Sequence, residues 1–397
     1  MQLDFNGLLY AVSYALDCVE GELVGAQTGH GKWVAYISVL LGKKLQYTQD
    51  ELLDLAACAA LHDNALTLYI AEERKKNEKI GSNVGMHCIL GQENIKEFPF
   101  RTDVSDVILY HHENIDGSGP FGKKEEEIPM MSQIIHLADT LDINCRFQEI
   151  SVENHQKIMT FLEKRRGSWY SDKLVEAFKQ TIPVERYLEL ADYKIEDLLK
   201  KSVPGGQREY SFEQVEKIMH IFSKIIDYKS MFTRLHSEQL AQKLVKMAEY
   251  YGYSKEKTER LYVAGILHDI GKMAVGNDIL EKPAKLNEEE FVQMKNHAWY
   301  TYVILSQIEG FEDITQWASR HHEKLNGKGY PFGLTAEQLS KEDRLIGCID
   351  IYQALSEDRP YKNGMSHDTC MSIMRNMVRE GYIDADITED VAKVMQS

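Results

Sequence analysis

Residues 261–272 read LYVAGILHDIGK, an apolar run that ends in His268-Asp269 and is followed at once by Gly271. That order predicts a buried helix whose end delivers an imidazole and a carboxylate to one spot, with glycine as the stop signal. A carboxylate held among apolar residues is costly unless it is paired or binds a metal. Residues 54–66, DLAACAALHDNAL, bring a second dyad, His62-Asp63, to the end of another apolar run.

Working outward, each dyad sits inside the same larger pattern. His236, His297, the pair His321-His322 and Asp350 surround the later dyad; His30, His87, the pair His111-His112 and Asp139 surround the earlier one. The offset is 206 for His30/His236, His62/His268 and Asp63/Asp269, 210 for His87/His297 and both residues of the HH pair, and 211 for Asp139/Asp350. Order is kept and only small insertions intervene, which makes coincidence a poor explanation.

Between these residues helical periodicity dominates. In EQLAQKLVKMAEYYG, 238–252, Leu240, Leu244, Val245, Met247, Ala248 and Tyr251 recur at three- and four-residue steps and form one face of an amphipathic helix. ELLDLAACAALHD (51–63), EKTERLYVAGILHD (256–269), EDITQWASRHHE (312–323) and EDRLIGCIDIYQALSED (342–358) read the same way, the last two starting with acids that suit a helix N-terminus. Long alternating runs of Val, Ile and Thr do not occur, so the expected fold class is all-α. The best punctuation is KKSVPGGQREYS, 200–211, which divides the chain into 1–205 and 206–397. Each half has an ordinary domain size.

Composition narrows the partners. A net charge of −16 argues against binding duplex nucleic acid or an anionic membrane through a general basic surface, so an anionic substrate must be received locally. Cys18, Cys58, Cys88, Cys145, Cys348 and Cys370 show no CxxC spacing and fit free thiols in a reducing compartment. The N-terminal MQLDFNGLLYAVSYAL carries Asp4 and no basic segment, which makes it a poor signal peptide, and no run of ~20 apolar residues spans a bilayer. A cytoplasmic location is expected, with no membrane partner.

Imidazole nitrogens and carboxylate oxygens suit Fe, Mn, Zn, Ni or Co, and seven such ligands exceed one tetrahedral site. Two ions sharing a carboxylate fit the count. A pair ~3.5–4 Å apart activates a bridging water and clamps both oxygens of a phosphoryl displacement, so the pattern predicts metal-assisted phosphoester hydrolysis.

HDIGK (268–272), DILEKPAKLNEEE (278–290), HHEKLNGKGYP (321–331) and DIYQALSEDRPYK (350–362) together resemble the HD-GYP family of HD-domain metal-dependent phosphohydrolases over about residues 230–365. The resemblance implies tandem HD-domain helical bundles and hydrolysis of a cyclic dinucleotide, cyclic di-GMP in the first place, to a linear dinucleotide or mononucleotides. It further implies that Asp269 bridges two divalent ions, Fe or Mn leading and Zn, Ni or Co also suited. His236, His268 and Asp350 would complete one ion, and His297, His321 and His322 the other. Lys272 would face the scissile phosphate. Gly329, Tyr330 and Pro331 would form the signature loop, and Arg359 and Lys362 would hold phosphate or guanine. Where family members with a third metal carry a Glu one turn before the first His, this chain has Phe232, which points to two metals. Gln353 and Asn326 replace acids usual in the family and leave base preference open.

The first half keeps His30, His62, Asp63, His87, His111, His112 and Asp139 as a second candidate metal site but loses what lies beside them. Leu66 stands where Lys272 stands, Gly119 runs directly into Pro120 without the loop tyrosine, and no SEDRPYK follows Asp139. Asp116 and Asp142 are kept where the second half has Asn326 and Gln353. This half is read as a degenerate copy with a structural or regulatory role, packing against the other within the chain; a homodimer is a further expectation. Two other functions compete: a cyclic-dinucleotide-binding adaptor whose metals have become structural, and a phosphodiesterase for mixed cyclic GMP-AMP.

Overall fold

The computed structural model describes residues 1–24, 29–76, 84–203, 207–229, 236–282, 284–358 and 363–396. The chain divides into two compact units: Phe5–Arg208, and Glu209–Ser397 together with Met1–Asp4. The first four residues thus belong with the second unit, where the Met1 amine donates to the Tyr210 carbonyl at 2.9 Å.

Among the described residues nearly everything regular is helical. The first unit carries α1 (Phe5–Val24), α2 (His30–Lys44), α3 (Gln49–Ala60), α4 (Leu66–Lys76), α5 (Val84–Asn94), α6 (Met130–Cys145), α7 (Val152–Arg165), α8 (Asp172–Thr181), α9 (Val184–Glu189) and α10 (Ile195–Ser202). The second carries α11 (Phe212–Tyr228), α12 (His236–Tyr250), α13 (Lys255–Leu267), α14 (Asn277–Leu280), α15 (Glu288–Leu305), α16 (Glu312–Ser319), α17 (Lys341–Ser356), α18 (His367–Arg379) and α19 (Ala385–Val394). Two three-residue strands, Gln2–Asp4 and Gln207–Glu209, make the one small sheet among the described residues.

In both units the helix carrying the dyad packs on the helix opened by the first histidine: α3 on α2, and α13 on α12. The reason is in the sequence. Val263, Ala264, Ile266 and Leu267 are buried on α13, and Leu240, Ala241, Leu244, Met247 and Ala248 on α12. Each larger side chain contributes roughly 1.5–3 kcal/mol by leaving water. Gly265 permits the contact, since a Cβ there would lie 2.7 Å from Leu244 Cδ1 and 3.0 Å from Ala241 Cα. N-caps set where the dyad helices begin: the Thr48 side chain accepts from Glu51 N, and that of Ser254 from Lys257 N.

Helices stop earlier than their patterns suggest, α3 at Ala60 and α13 at Leu267, each just before its dyad. EDITQWASRHHE reads as continuous helix, yet α16 ends at Ser319 and the HH pair lies in the following turn. There His321 Nδ1 donates to the Ala318 carbonyl at 2.6 Å, satisfying one of the acceptors a helix end leaves over.

Candidate metal centres

His268 and His62, just past their helices, and His111, in the turn at 105–112, share one device. His268 Nδ1 donates to Gly265 O at 2.7 Å, His62 Nδ1 to Ala59 O at 2.8 Å, and His111 Nδ1 to Ile108 O at 2.6 Å. Within α15, His297 Nδ1 does the same with Met294 O at 2.6 Å. Each ring is therefore fixed by a proton on Nδ1 to a carbonyl three residues back on the chain, which leaves Nε2 as the candidate ligand atom. That is how a ligating histidine is held for a metal.

In the second unit the seven expected ligands converge. His236, His268 and Asp350 bring donor atoms within 4.8 Å of one another, as do His297, His321 and His322, and as do His268, Asp269 and His321. Asp269 joins the groups: its carboxylate lies 3.2 Å from His268 Nε2, 3.6 Å from His297 Nε2 and 3.9 Å from His321 Nε2. His236 Nε2 is 3.2 Å from Asp350 Oδ1. All except His322 are buried. His268 Nε2 is buried with no hydrogen-bond partner among the described residues, an arrangement that favours a cation in the cluster. Burial would raise the Asp269 carboxyl, but His268, Lys272 and His297 hold it well below the usual range. The donor set fits divalent ions.

Lys272 Nζ donates to Asp269 Oδ2 at 2.5 Å and keeps a fifth of its side-chain surface exposed, so its charge sits at the rim of the cluster. Tyr330 covers the other flank, its ring 4.8 Å from that of His322 and 6.3 Å from that of His297. Burial, then Asp350 and Asp269, push its phenol up, so it stays protonated. Gly329 is needed where the loop crosses the HHE turn: a Cβ there would lie 2.4 Å from Glu323 Cα. Pro331 follows through a cis peptide bond. Arg359 and Lys362, like Phe232, lie outside the described residues.

Three glutamates that no sequence motif singles out support these sites. Glu323 gathers the signature loop by accepting from the amides of Phe332, Gly333 and Leu334 at 2.7, 3.1 and 2.9 Å. Glu113 does so for Phe121 and Lys123 in the first unit. Glu357 accepts from His236 Nδ1 at 3.1 Å and orients that ring. Gln353 is fully buried and tied to Lys243 at 2.6 Å and Gln239 at 2.8 Å, outside the ligand set. Asn326 does what Asp116 does: each side chain accepts from the amide two residues on, Lys328 or Ser118.

The first unit also assembles its ligands, with a change in kind. His30, His62 and Asp139 form one group. The other contains His87, His111, His112 and, unexpectedly, Cys88. Cys88, outside the seven expected residues, places a thiol beside His87 where Ala298 stands beside His297. Burial would raise this thiol, but His111 and His87 bring it to about 6. Leu66 takes the backbone place of Lys272, since the amide of each donates to the carbonyl of the dyad aspartate, at 3.0 Å from Leu66 and 2.9 Å from Lys272.

The HD-domain family model matches residues 23–174 and 220–387, one segment in each unit. A 3'3'-cGAMP-specific phosphodiesterase of Vibrio cholerae is 26% identical over 396 residues, spanning 98% of this chain and 91% of the relative. A second 3'3'-cGAMP-specific phosphodiesterase of that organism is 36% identical over 294 residues, 72% of this chain and 62% of the relative. A cyclic di-GMP phosphodiesterase of Thermotoga maritima is 32% identical over 168 residues, 42% of this chain and 45% of the relative. A crystal structure of a cyclic GMP-AMP specific phosphodiesterase of V. cholerae matches with a TM-score of 0.68 at 25% identity, covering all of this chain and 98% of that one.

Proposed function

The chain belongs to the HD-domain family, and from that premise we propose that it is a metal-dependent phosphodiesterase of the HD-GYP type, hydrolysing a cyclic dinucleotide in its second unit. The observation that carries this reading is the junction of two ligand groups at Asp269 with Lys272 2.5 Å away. Two divalent ions bound there, Fe or Mn in the first place, would supply Lewis acidity and an activated water. The chain's own residues do the rest. Asp269 would serve both ions, His236, His268 and Asp350 would hold one, and His297, His321 and His322 the other. Lys272 faces the phosphoryl oxygens and stabilises their developing charge. Tyr330, packed on His322, closes one side of the pocket. Arg359 and Lys362 are proposed to hold phosphate or guanine.

Cyclic di-GMP is the first substrate to test. Mixed cyclic GMP-AMP is the second, because the relatives matching 98% and 72% of the chain carry that specificity. With no helix of the described residues long and apolar enough to cross a membrane, we place the activity in the cytoplasm. The test is turnover of both dinucleotides by the purified chain with Mn²⁺ or Fe²⁺, alongside His268→Ala and His62→Ala. Linear product from wild type and His62→Ala but not His268→Ala is the expected result. Stoichiometric binding without product rejects the enzyme in favour of an adaptor, and full activity in His268→Ala rejects the assignment to the second unit.

A further inference from the structure

We infer that the first unit holds a zinc ion through four protein ligands, His87, Cys88, His111 and His112, in a closed structural site unlike the catalytic centre of the second. This goes beyond the substrate reading and stands or falls separately from it. All four donor atoms lie within 4.8 Å of one another. His87 Nε2 and His112 Nε2 are 3.1 Å apart, and Cys88 Sγ is 3.6 Å from His87 Nε2. A tetrahedral ion with bonds of about 2.0–2.1 Å to nitrogen and about 2.3 Å to sulfur sets its nitrogens roughly 3.3 Å apart and a nitrogen and sulfur roughly 3.6 Å apart. The observed spacings are close to those edges.

A second observation points to a ligand. His111 Nε2 is fully buried with no hydrogen-bond partner among the described residues, and its Nδ1 is already committed to Ile108 O. Nε2 is therefore the ring atom left to face the cluster, 3.6 Å from Asp63 Oδ1. Thiolate with three imidazoles favours zinc over the harder ions suited to nitrogen and oxygen ligands. A thiolate there would take a coordination place that, beside Ala298 in the second unit, is left to water. In the second unit Ala298 offers no donor at that place. The ordinary alternative for Cys88 is a core thiol donating to Val84 O, 3.6 Å away.

The full-length chain distinguishes the two. Cobalt-substituted wild type is expected to show thiolate-to-cobalt charge-transfer absorption. Cys88→Ser is expected to lose that band and about one bound ion per chain, with its far-ultraviolet circular dichroism unchanged. A wild type without the band, or a Cys88→Ser protein that keeps it, overturns the inference. Should Cys88→Ser fail to fold, X-ray absorption of the zinc-loaded wild type decides: a sulfur shell at about 2.3 Å supports the site, and its absence overturns it.

Discussion

In the first unit Asp142 accepts from Nδ1 of His30 at 2.8 Å; in the second, the residue in that register is Gln353, and the carboxylate on His236 comes from Glu357, one helical turn further along. The first unit has Arg146 in the register of Glu357, paired instead with Glu149 at 3.0 Å. Orientation of the opening histidine is thus kept in both units, though the residue providing it has moved. The ammonium beside the dyad has not moved. It is present as Lys272 and absent at Leu66. A ring can be steered from either of two turns of a helix that ends over it, whereas charge aimed at a reacting phosphate must come from one direction. The two units therefore share the seven candidate ligand positions and differ in the residues beside them, Leu66 and Cys88 against Lys272 and Ala298.

The strongest challenge to this division is the dyad carboxylate itself. Asp269→Asn is expected to lower kcat/KM at least about 10³-fold, or about 4 kcal/mol of transition-state stabilisation, and Asp63→Asn to change it by less than about twofold. Equal losses would make the units catalytic partners. Next comes the ammonium: Lys272→Leu, which writes the first unit's residue into the second, is expected to cost about 10²–10³-fold in kcat with metal content unchanged. Leu66→Lys is expected to gain nothing, since Cys88 and the missing tyrosine still separate the units. Appearance of turnover in Leu66→Lys/His268→Ala would show that one residue was the whole difference.

These contrasts were partly legible in the sequence. The ligands were, because seven residues of fixed type repeat in order, and so was Leu66, because it lies three residues from the dyad. The helical class followed from periodicity. Cys88 was not, since a cysteine on an apolar helix face reads as core until its neighbours in space are known. Glu357 sits in an acidic string that reads as solvated, and only the end of α17 turns it onto His236. The loop-gathering role of Glu113 and Glu323 depends on amides eight to eleven residues away, a closure no local pattern announces.

The migrated carboxylate gives a smaller effect and a sharper test. Glu357→Gln is expected to weaken metal retention or activity about 10–100-fold, the usual cost of losing a partner to a ligating histidine. Gln353→Asp in that background rebuilds the first unit's arrangement and is expected to recover part of the loss, as measured by metal titration. No recovery would mean that Lys243, 2.6 Å from the Gln353 side chain, claims the new carboxylate first.

The smallest expected difference lies at the start of the dyad helices, in the same register of the two repeats. Thr48 and Ser254 each accept an amide of the first turn at 3.3 Å, so Thr48→Ala and Ser254→Ala each cost about 1 kcal/mol of local stability. The caps respond differently to acid. At Thr48 the third residue on is Glu51, whose carboxylate accepts from Thr48 N at 2.7 Å and from its hydroxyl at 2.8 Å; beyond Ser254 that position is Lys257. The bonds to the Thr48 amide and hydroxyl hold the Glu51 carboxyl below its ordinary value. A carboxyl depressed on folding stabilises above its unfolded pKa, and that contribution fades as pH falls through the folded one. Hydrogen exchange at the first turn of α3 is therefore expected to lose protection on acidification through the carboxylate range, relative to α13. Thr48→Ala should reduce that pH response and Glu51→Gln abolish it, while Ser254→Ala leaves it unaltered; parallel loss at both helices would show that acid loosens them through a shared cause rather than through this cap.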